Sequence, residues 1–473
     1  MAKEDNSKYI RYDHSNSLYK GDNNFRSLTH ERFYQEAIDD PVKFWADKAN
    51  EVHWYKPYEK VLDDRDIRFP KWFVGGEINI TYNCIDRHIL EGRGDMPAFH
   101  EVNCYTGKNE TITYNKLKEE VGRLASVLQN QFGIKKGDRV IIYMPMVRQI
   151  AISMLACARI GAIHSVVFGG FAAKELANRI DDCNPQLIIS ATVGIEPNKK
   201  IRYLPIVAQA LKECSKTKNA SSIPKLFFNR LDVDPEDVKK DNLDSTFHDM
   251  QTLVNKETRI AEPVPCESTH PLYILYTSGT TGQPKGVVRD QGGTTVALNW
   301  GFKSTFNYHP GGSFFGAADA GWIVGHSMMI YGALVRGIAS VIYEGKPIYK
   351  GDAGVLFDIC SRYKIDHMFT STTAVKEMIR LDPDGNFFKR INLDEFKILT
   401  IGGECVDPKV VWWLRRHLPK VIHNDTWWPT ENGWPMGNNM FNQDIYGPVF
   451  PTLPGSIPRI SPGWNLRVLN ENN

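Results

Sequence analysis

From Asp138 onward, short apolar runs bounded by turn residues alternate with stretches whose apolar positions recur at helical spacing. Residues 140–144 are rich in Val and Ile and end at Pro145; residues 163–168 are closed by Gly169 and Gly170; residues 187–190 form a third such run. Between them, 150–160 and 172–182 carry the three-to-four-residue spacing of helices. The rhythm resumes with predicted strands at 272–276, 313–317, 339–343, 367–369, 397–401 and 421–423, and predicted helices at 327–335, 355–363, 374–380 and 409–417. Alternation of this kind predicts parallel sheets covered by helices, with ligands gathered at the C-terminal ends of the strands. Two segments break it. Residues 1–75, rich in aromatics and charges, read as a wrapping extension, and 219–262, dense in Lys, Asp and Asn, as surface loops. After Gly455 the chain turns Pro/Gly-rich, with a last predicted strand at 465–469.

Composition narrows the function classes. Hydrophobic residues make up 42% and charged residues 24%, as in a soluble globular protein. The 57 basic and 55 acidic side chains nearly cancel, which argues against a nucleic-acid binder. Eight scattered cysteines without metal spacing read as free thiols in a reducing compartment. Glu4, Asp5 and Asp13 lie in a polar N-terminus with no apolar signal core, so the expected location is cytoplasmic. The most apolar stretch, 150–171, is interrupted by Arg159 and His164 and reads as a buried helix and strand, with no membrane span expected.

The strongest chemical signal follows the strand at 272–276. Thr277, Ser278, Gly279, Thr280, Thr281 and Gly282 lead through Gln283 and Pro284 to Lys285 and Gly286. Glycines let backbone N–H groups converge on an anion, hydroxyls add short bonds to phosphate oxygens, and Lys285 adds a point charge. A Walker A loop would place its Lys at the start of a helix. Here Lys285 lies between Pro284 and Gly286, which disfavours a P-loop kinase or ATPase.

This segment resembles the phosphate-binding motif of the adenylate-forming enzymes: acyl-CoA synthetases, peptide-synthetase adenylation domains and beetle luciferase. Phe44–Trp45, Trp72–Gly76, Tyr82–His88, Ser165–Phe171, Asp319–His326 and Tyr343–Pro347 are similar, in order, to acetyl- and propionyl-CoA synthetases. The Gly194–Pro197 stretch and the Val288-Arg289 pair are closer to the propionyl branch. The resemblance implies an α/β fold of layered parallel sheets flanked by helices, with a small β-barrel subdomain and without the family's C-terminal domain. It divides the chain into an N-terminal extension (1–95), an AMP-binding domain (96–450) and the start of the barrel (451–473).

It also implies a site. Gly403, Glu404 and Cys405 would line the adenine; Asp425, Thr426, Trp427, Trp428, Pro429 and Thr430 would complete the nucleotide contacts, with Thr430 on phosphate and Glu431 on Mg²⁺. Ile323, Val324, His326, Gly402 and Trp428 would form the acyl pocket. Glu196, Pro197, Asn198 and Lys199, with Lys200, would meet CoA. Thr430 and Glu431 are the expected catalytic residues, and ATP, Mg²⁺ and CoA the expected cofactor and substrates. Gly402 and Val324 stand where acetyl enzymes usually carry Val and Thr, which favours propionate over acetate. Pro429, Asn432 and Cys405 depart from the family pattern. The family's ribose-gripping Asp and the Lys of its small mobile domain have no counterpart before Asn473, so the chain alone is expected to be poorly active. A non-catalytic nucleotide or CoA-ester binder on the same fold is the alternative, and an aryl or long-chain acid ligase a more distant one.

Overall fold

A computed structural model describes residues 32–234, 243–277, 284–306, 309–438, 441–442, 447–448, 454–457 and 459–471. Two seven-stranded sheets organise these residues. The first runs in the spatial order Phe247–Asp249, Lys225–Phe228, Leu187–Ala191, Arg139–Tyr143, Ile163–Val166, Pro271–Thr277, Lys285–Asp290. The second runs Ile422–Asp425, Ile398–Gly402, His367–Ser371, Ser313–Gly316, Ala339–Glu344, Pro97–Asn103, Asn109–Thr113. Within each, neighbours pair in parallel except the last two strands, which pair antiparallel. The sheets are therefore mixed, not wholly parallel as the alternation implied. Leu187–Ala191 and Ile398–Gly402 are buried at every position, as expected of parallel strands covered on both faces.

A central hydrophobic core joins the sheets. Val140 and Ile142 from one, and Phe99, Phe314 and Phe369 from the other, enclose the helix Arg148–Arg159. Every residue of that helix but Gln149 is buried, including Arg148 and Arg159 at its two ends. On the outer face of the second sheet, Leu356, Val375 and Leu414 come from the helices Val355–Arg362, Thr372–Leu381 and Pro408–His417. On the outer face of the first, Leu176 and Val207 come from Ala173–Cys183 and Tyr203–Glu213. Of the N-terminal extension, Ala49, Phe73 and Phe44 pack on Val296 and Trp300 of the helix Gln291–Phe306.

Several expectations need correction. Residues 465–469 form no strand: Val468 is 98% exposed, with no sheet to join. Residues 219–262 are not only loops, because Lys225–Phe228 and Phe247–Asp249 extend the first sheet and Met250–Lys256 is helical. The predicted helix 327–335 is a π-helix over Gly325–Gly332 followed by one α-turn, Ala333–Val335. Where a small barrel was expected, the described residues show only two-residue pairings, Gly437–Asn438 with Arg459–Ile460 and Phe441–Asn442 with Gly447–Pro448. All eight cysteines are free. No described helix is long and apolar enough to cross a membrane.

Candidate active site

Ile398–Gly402 and Ile422–Asp425 are adjacent parallel strands, with Ile401 opposite Asp425. Their C-terminal ends therefore release two candidate segments side by side. Past the first strand the chain turns at Gly403, whose φ of +95° suits only glycine without strain. Gly403, Glu404 and Cys405 are exposed there, and the Thr373 hydroxyl donates to Glu404 Oε1 at 2.5 Å. Past the second strand, the Thr426 N–H donates to the Ile401 carbonyl at 3.1 Å, tying the segments together. Trp427 points to solvent while its backbone pairs with Gly437. Trp428 is half-buried, edge-on to Phe369 at 6.0 Å, and its indole N–H has no partner among the described residues.

Gly402 lies against the same aromatic wall. A Cβ there would sit 3.0 Å from the Thr426 carbonyl oxygen and 3.1 Å from Phe369 Cε2. Phe369 and Thr426 thus close up against Gly402, so that even a Cβ would need a neighbour to give way. Ile323 is buried, and Val324 and Trp428 pack on the edge of the central core that contains Phe369. His326 lies deeper: its ring is buried, stacked on His164 at 5.5 Å and tilted against Tyr273 at 4.6 Å. Burial pushes its pKa down to about 4, so it is neutral at physiological pH.

Pro429 and Asn432 close a turn through a 3.1 Å N–H···O bond, which presents Thr430 half-buried and Glu431 exposed. Arg289 donates to the carbonyls of both, at 3.1 Å to Thr430. At the phosphate motif, Thr277 and Lys285 are opposite each other at the base of an antiparallel hairpin, with Lys285 exposed. Ser278, Gly279, Thr280, Thr281 and Gly282 lie outside the described residues. Among the described residues no cluster of three or more acidic, His or Cys groups could cage a metal. An exposed Glu431 still suits Mg²⁺, which keeps waters and is commonly held by one or two carboxylates plus substrate phosphates.

The CoA candidates sit apart from these groups. Pro197, Asn198 and Lys199 form the exposed turn of the hairpin Val193–Glu196/Lys199–Arg202. Glu196 pairs with Lys346 at 2.9 Å, and Lys200 with Asp234 at 3.3 Å. A cavity of about 80 Å³ opens beside them, lined by Phe168, Gly169, Gly194, Asp319 and Lys346 among others. Asp319 and Ile323 lie four residues apart, so one segment runs from this cavity to the candidate acyl pocket. A larger cavity of about 540 Å³ lies between Trp45, Trp72, Trp300 and Trp434, and none of the candidate acyl residues lines it.

Burial raises the Asp425 carboxyl to a pKa of about 7. The native state then holds a proton that the unfolded state, with a pKa near 3.9, has released. Between those values the unfolded state binds fewer protons, so this contribution to stability is full below about pH 4 and is lost as pH rises through 7. Melting curves of Asp425→Asn and wild type should therefore diverge in favour of the variant from about pH 4 to 7 and run parallel above. A pH-independent difference would contradict this assignment.

Sequence reasoning missed Phe369, Lys346 and Asp319 as site neighbours and gave Arg289 no structural role. Lys346 and Asp319 sit in motifs noted only for resemblance. Phe369 had one usable signal, its place near the end of a strand.

Comparison with known proteins bears on the whole arrangement. The profile of the AMP-binding enzyme family matches residues 87–473, and that of the acetyl-coenzyme A synthetase N-terminus matches residues 30–84. The chain is 41% identical over 439 residues to acyl-CoA synthetase short-chain family member 3, mitochondrial, of Bos taurus, covering 93% of this chain and 62% of that relative. It is 37% identical over 445 residues to propionate–CoA ligase of Escherichia coli (strain K12), covering 94% of this chain and 68% of the ligase. In fold it is similar to acetoacetyl-CoA synthetase from Streptomyces lividans, with a TM-score of 0.80 at 22% identity over 93% of this chain and 64% of that one. Because one family profile runs through both sheets and the strand-end turns just described, the chain belongs to the AMP-binding enzyme family.

Proposed function

We propose that the chain carries the adenylation site of a short-chain acyl-CoA synthetase that prefers a propionate-like acid. A carboxylate oxygen attacks the α-phosphorus of ATP and the bond to pyrophosphate breaks. The CoA thiol then attacks the acyl carbonyl, forming the thioester and releasing AMP. On this reading Gly403, Glu404, Cys405 and Asp425 to Pro429 hold the nucleotide, and Thr277 to Gly282 with Lys285 hold its phosphates. Thr430 donates to phosphate. Glu431 holds Mg²⁺, which when bound neutralises charge on the phosphate oxygens. Ile323, Val324, His326, Gly402 and Trp428 bound the acyl group, and Glu196 to Lys199 meet CoA. Residues 1–95 serve as the extension, 96–450 as the AMP-binding domain and 451–473 as the start of a barrel, in a cytoplasmic protein. The observation that supports the reading most is the register of Ile401 opposite Asp425, which brings Gly402 to Cys405 and Thr426 to Glu431 out side by side at the C-terminal ends of adjacent strands.

Calorimetry with alkyl-AMP esters tests it. The propyl ester, a stand-in for propionyl-adenylate, is expected to bind about fourfold more tightly than the ethyl ester, one methylene being worth about 0.8 kcal/mol. Tighter binding of the ethyl ester would sink the preference, and no binding at all would sink the site. Gly402→Val should reverse the order toward the ethyl ester. It should also lower the melting temperature, since its Cβ meets Thr426 and Phe369 at 3.0–3.1 Å.

A further inference from the structure

Arg289 sits near the end of Lys285–Asp290, the strand that leaves the phosphate motif, opposite Tyr273. Its guanidinium crosses to the second candidate segment. One terminal nitrogen donates to the Thr430 carbonyl at 3.1 Å and also to the Glu431 carbonyl. Gly433, at φ +76°, passes directly beneath it: a Cβ there would lie 2.9 Å from the guanidinium carbon. The carbonyl of Gly433 in turn accepts from the Ser327 hydroxyl at 2.5 Å. The following residue, Trp434, is buried against Phe302 at 5.5 Å.

These contacts have a directional consequence. Bonds to two consecutive carbonyls hold the peptide planes on either side of Glu431, and with them the direction in which its side chain leaves the turn beside Thr430. Arg289 is four positions from Lys285 along a paired strand. We infer that Arg289 is a positioning residue that locks the Thr430–Glu431 turn to the strand leaving the phosphate motif, so that the groups meeting phosphate and Mg²⁺ share one rigid frame. The inference rests on the adenylation reading for its catalytic consequence, but the clamp itself does not. Arg289 is assigned as a positioning residue because the bonds of its Nη2 go to backbone carbonyls of the turn; its Nε has no partner among the described residues, and kinetic measurements separate positioning from direct contact with ATP.

Arg289→Met keeps the apolar stem and removes the donors; Arg289→Lys keeps the charge and one point donor. Two readouts apply. In acid-dependent exchange of labelled pyrophosphate into ATP, the Met variant is expected to lose about a hundredfold in kcat, the scale of a misplaced reacting geometry. Its KM for ATP should stay within threefold, half-saturation with Mg²⁺ should rise, and Lys should recover part of the rate. A KM increase with unchanged kcat would show that Arg289 binds ATP directly, and no kinetic change would overturn the positioning role. Amide hydrogen exchange in the ligand-free protein gives the second readout: residues 430–433 should exchange faster in the Met variant while the two sheets do not change. Unchanged protection of that turn would overturn the clamp whatever the kinetics show. If the wild-type protein catalyses no acid-dependent exchange, the adenylation reading fails, and the amide measurement still decides the clamp.

Discussion

Replacing Asp86 by Ala is expected to destabilise the fold by about 3–5 kcal/mol, the scale for stranding a buried charge. Arg159 is fully buried, and its guanidinium donates to both Asp86 oxygens at 2.7 and 3.0 Å. Lys118 reaches the same carboxylate at 2.9 Å. Burial alone would raise the Asp86 pKa, but the two cations outweigh it and hold the carboxyl below its ordinary value. Removing the carboxylate leaves the buried Arg159 with only the Ala261 carbonyl, at 2.5 Å, and the exposed Glu262 carboxylate, at 3.8 Å, in its place. Chemical denaturation of Asp86→Ala against wild type measures the cost, and a loss under 1 kcal/mol would show that Arg159 finds another partner. An Asp86→Leu/Arg159→Met double variant should recover most of the loss, because the charge needing compensation is gone with its partner.

Glu431→Gln is expected to act the other way, on rate without stability. The side chain is exposed at the turn, so its loss should leave the melting temperature within a degree or two. Acid-dependent pyrophosphate exchange should fall about 10²–10³-fold, the scale for removing one group that stabilises developing charge. Raised Mg²⁺ should restore part of the rate if the carboxylate holds the metal. An undiminished rate would remove Glu431 from the reaction. A large drop in melting temperature would assign it a packing role instead.

The contrast between these residues explains what the sequence made legible. Buried parallel strands such as 187–191 and 398–402 announce themselves as continuous apolar runs, because both faces are covered. The edge strand Lys285–Asp290 does not, since Val288 is 55% exposed and the strand opens with Lys-Gly. Lys225–Phe228 was hidden by its own lysine. Lys225 is nonetheless buried, because its ammonium donates to the Ser221 carbonyl at 2.6 Å and the Thr246 hydroxyl at 2.7 Å. Residues 465–469 erred the other way: a strand-like Leu-Arg-Val-Leu run stays irregular without a partner edge. The same limit applied to the site. Gly402, Asp425 and Glu431 are candidates through resemblance alone, whereas Arg289 donates to backbone carbonyls, which leave no mark in sequence. The Asp86, Arg87 and His88 stretch, noted only for its likeness to relatives, proves to be structural. Asp86 pairs Arg159, Arg87 donates to the Val335 and Glu51 carbonyls, and His88 bonds the Leu334 carbonyl at 2.7 Å.

Adenylation and mere nucleotide binding predict the same affinity for ATP but different chemistry, so exchange of labelled pyrophosphate into ATP separates them most directly. An adenylating site should incorporate label above background only when Mg²⁺ and a short carboxylic acid are both present, with propionate giving more than acetate. A protein that binds ATP and the alkyl-AMP esters yet incorporates no label with any acid would contradict the account and leave a binding protein on this fold.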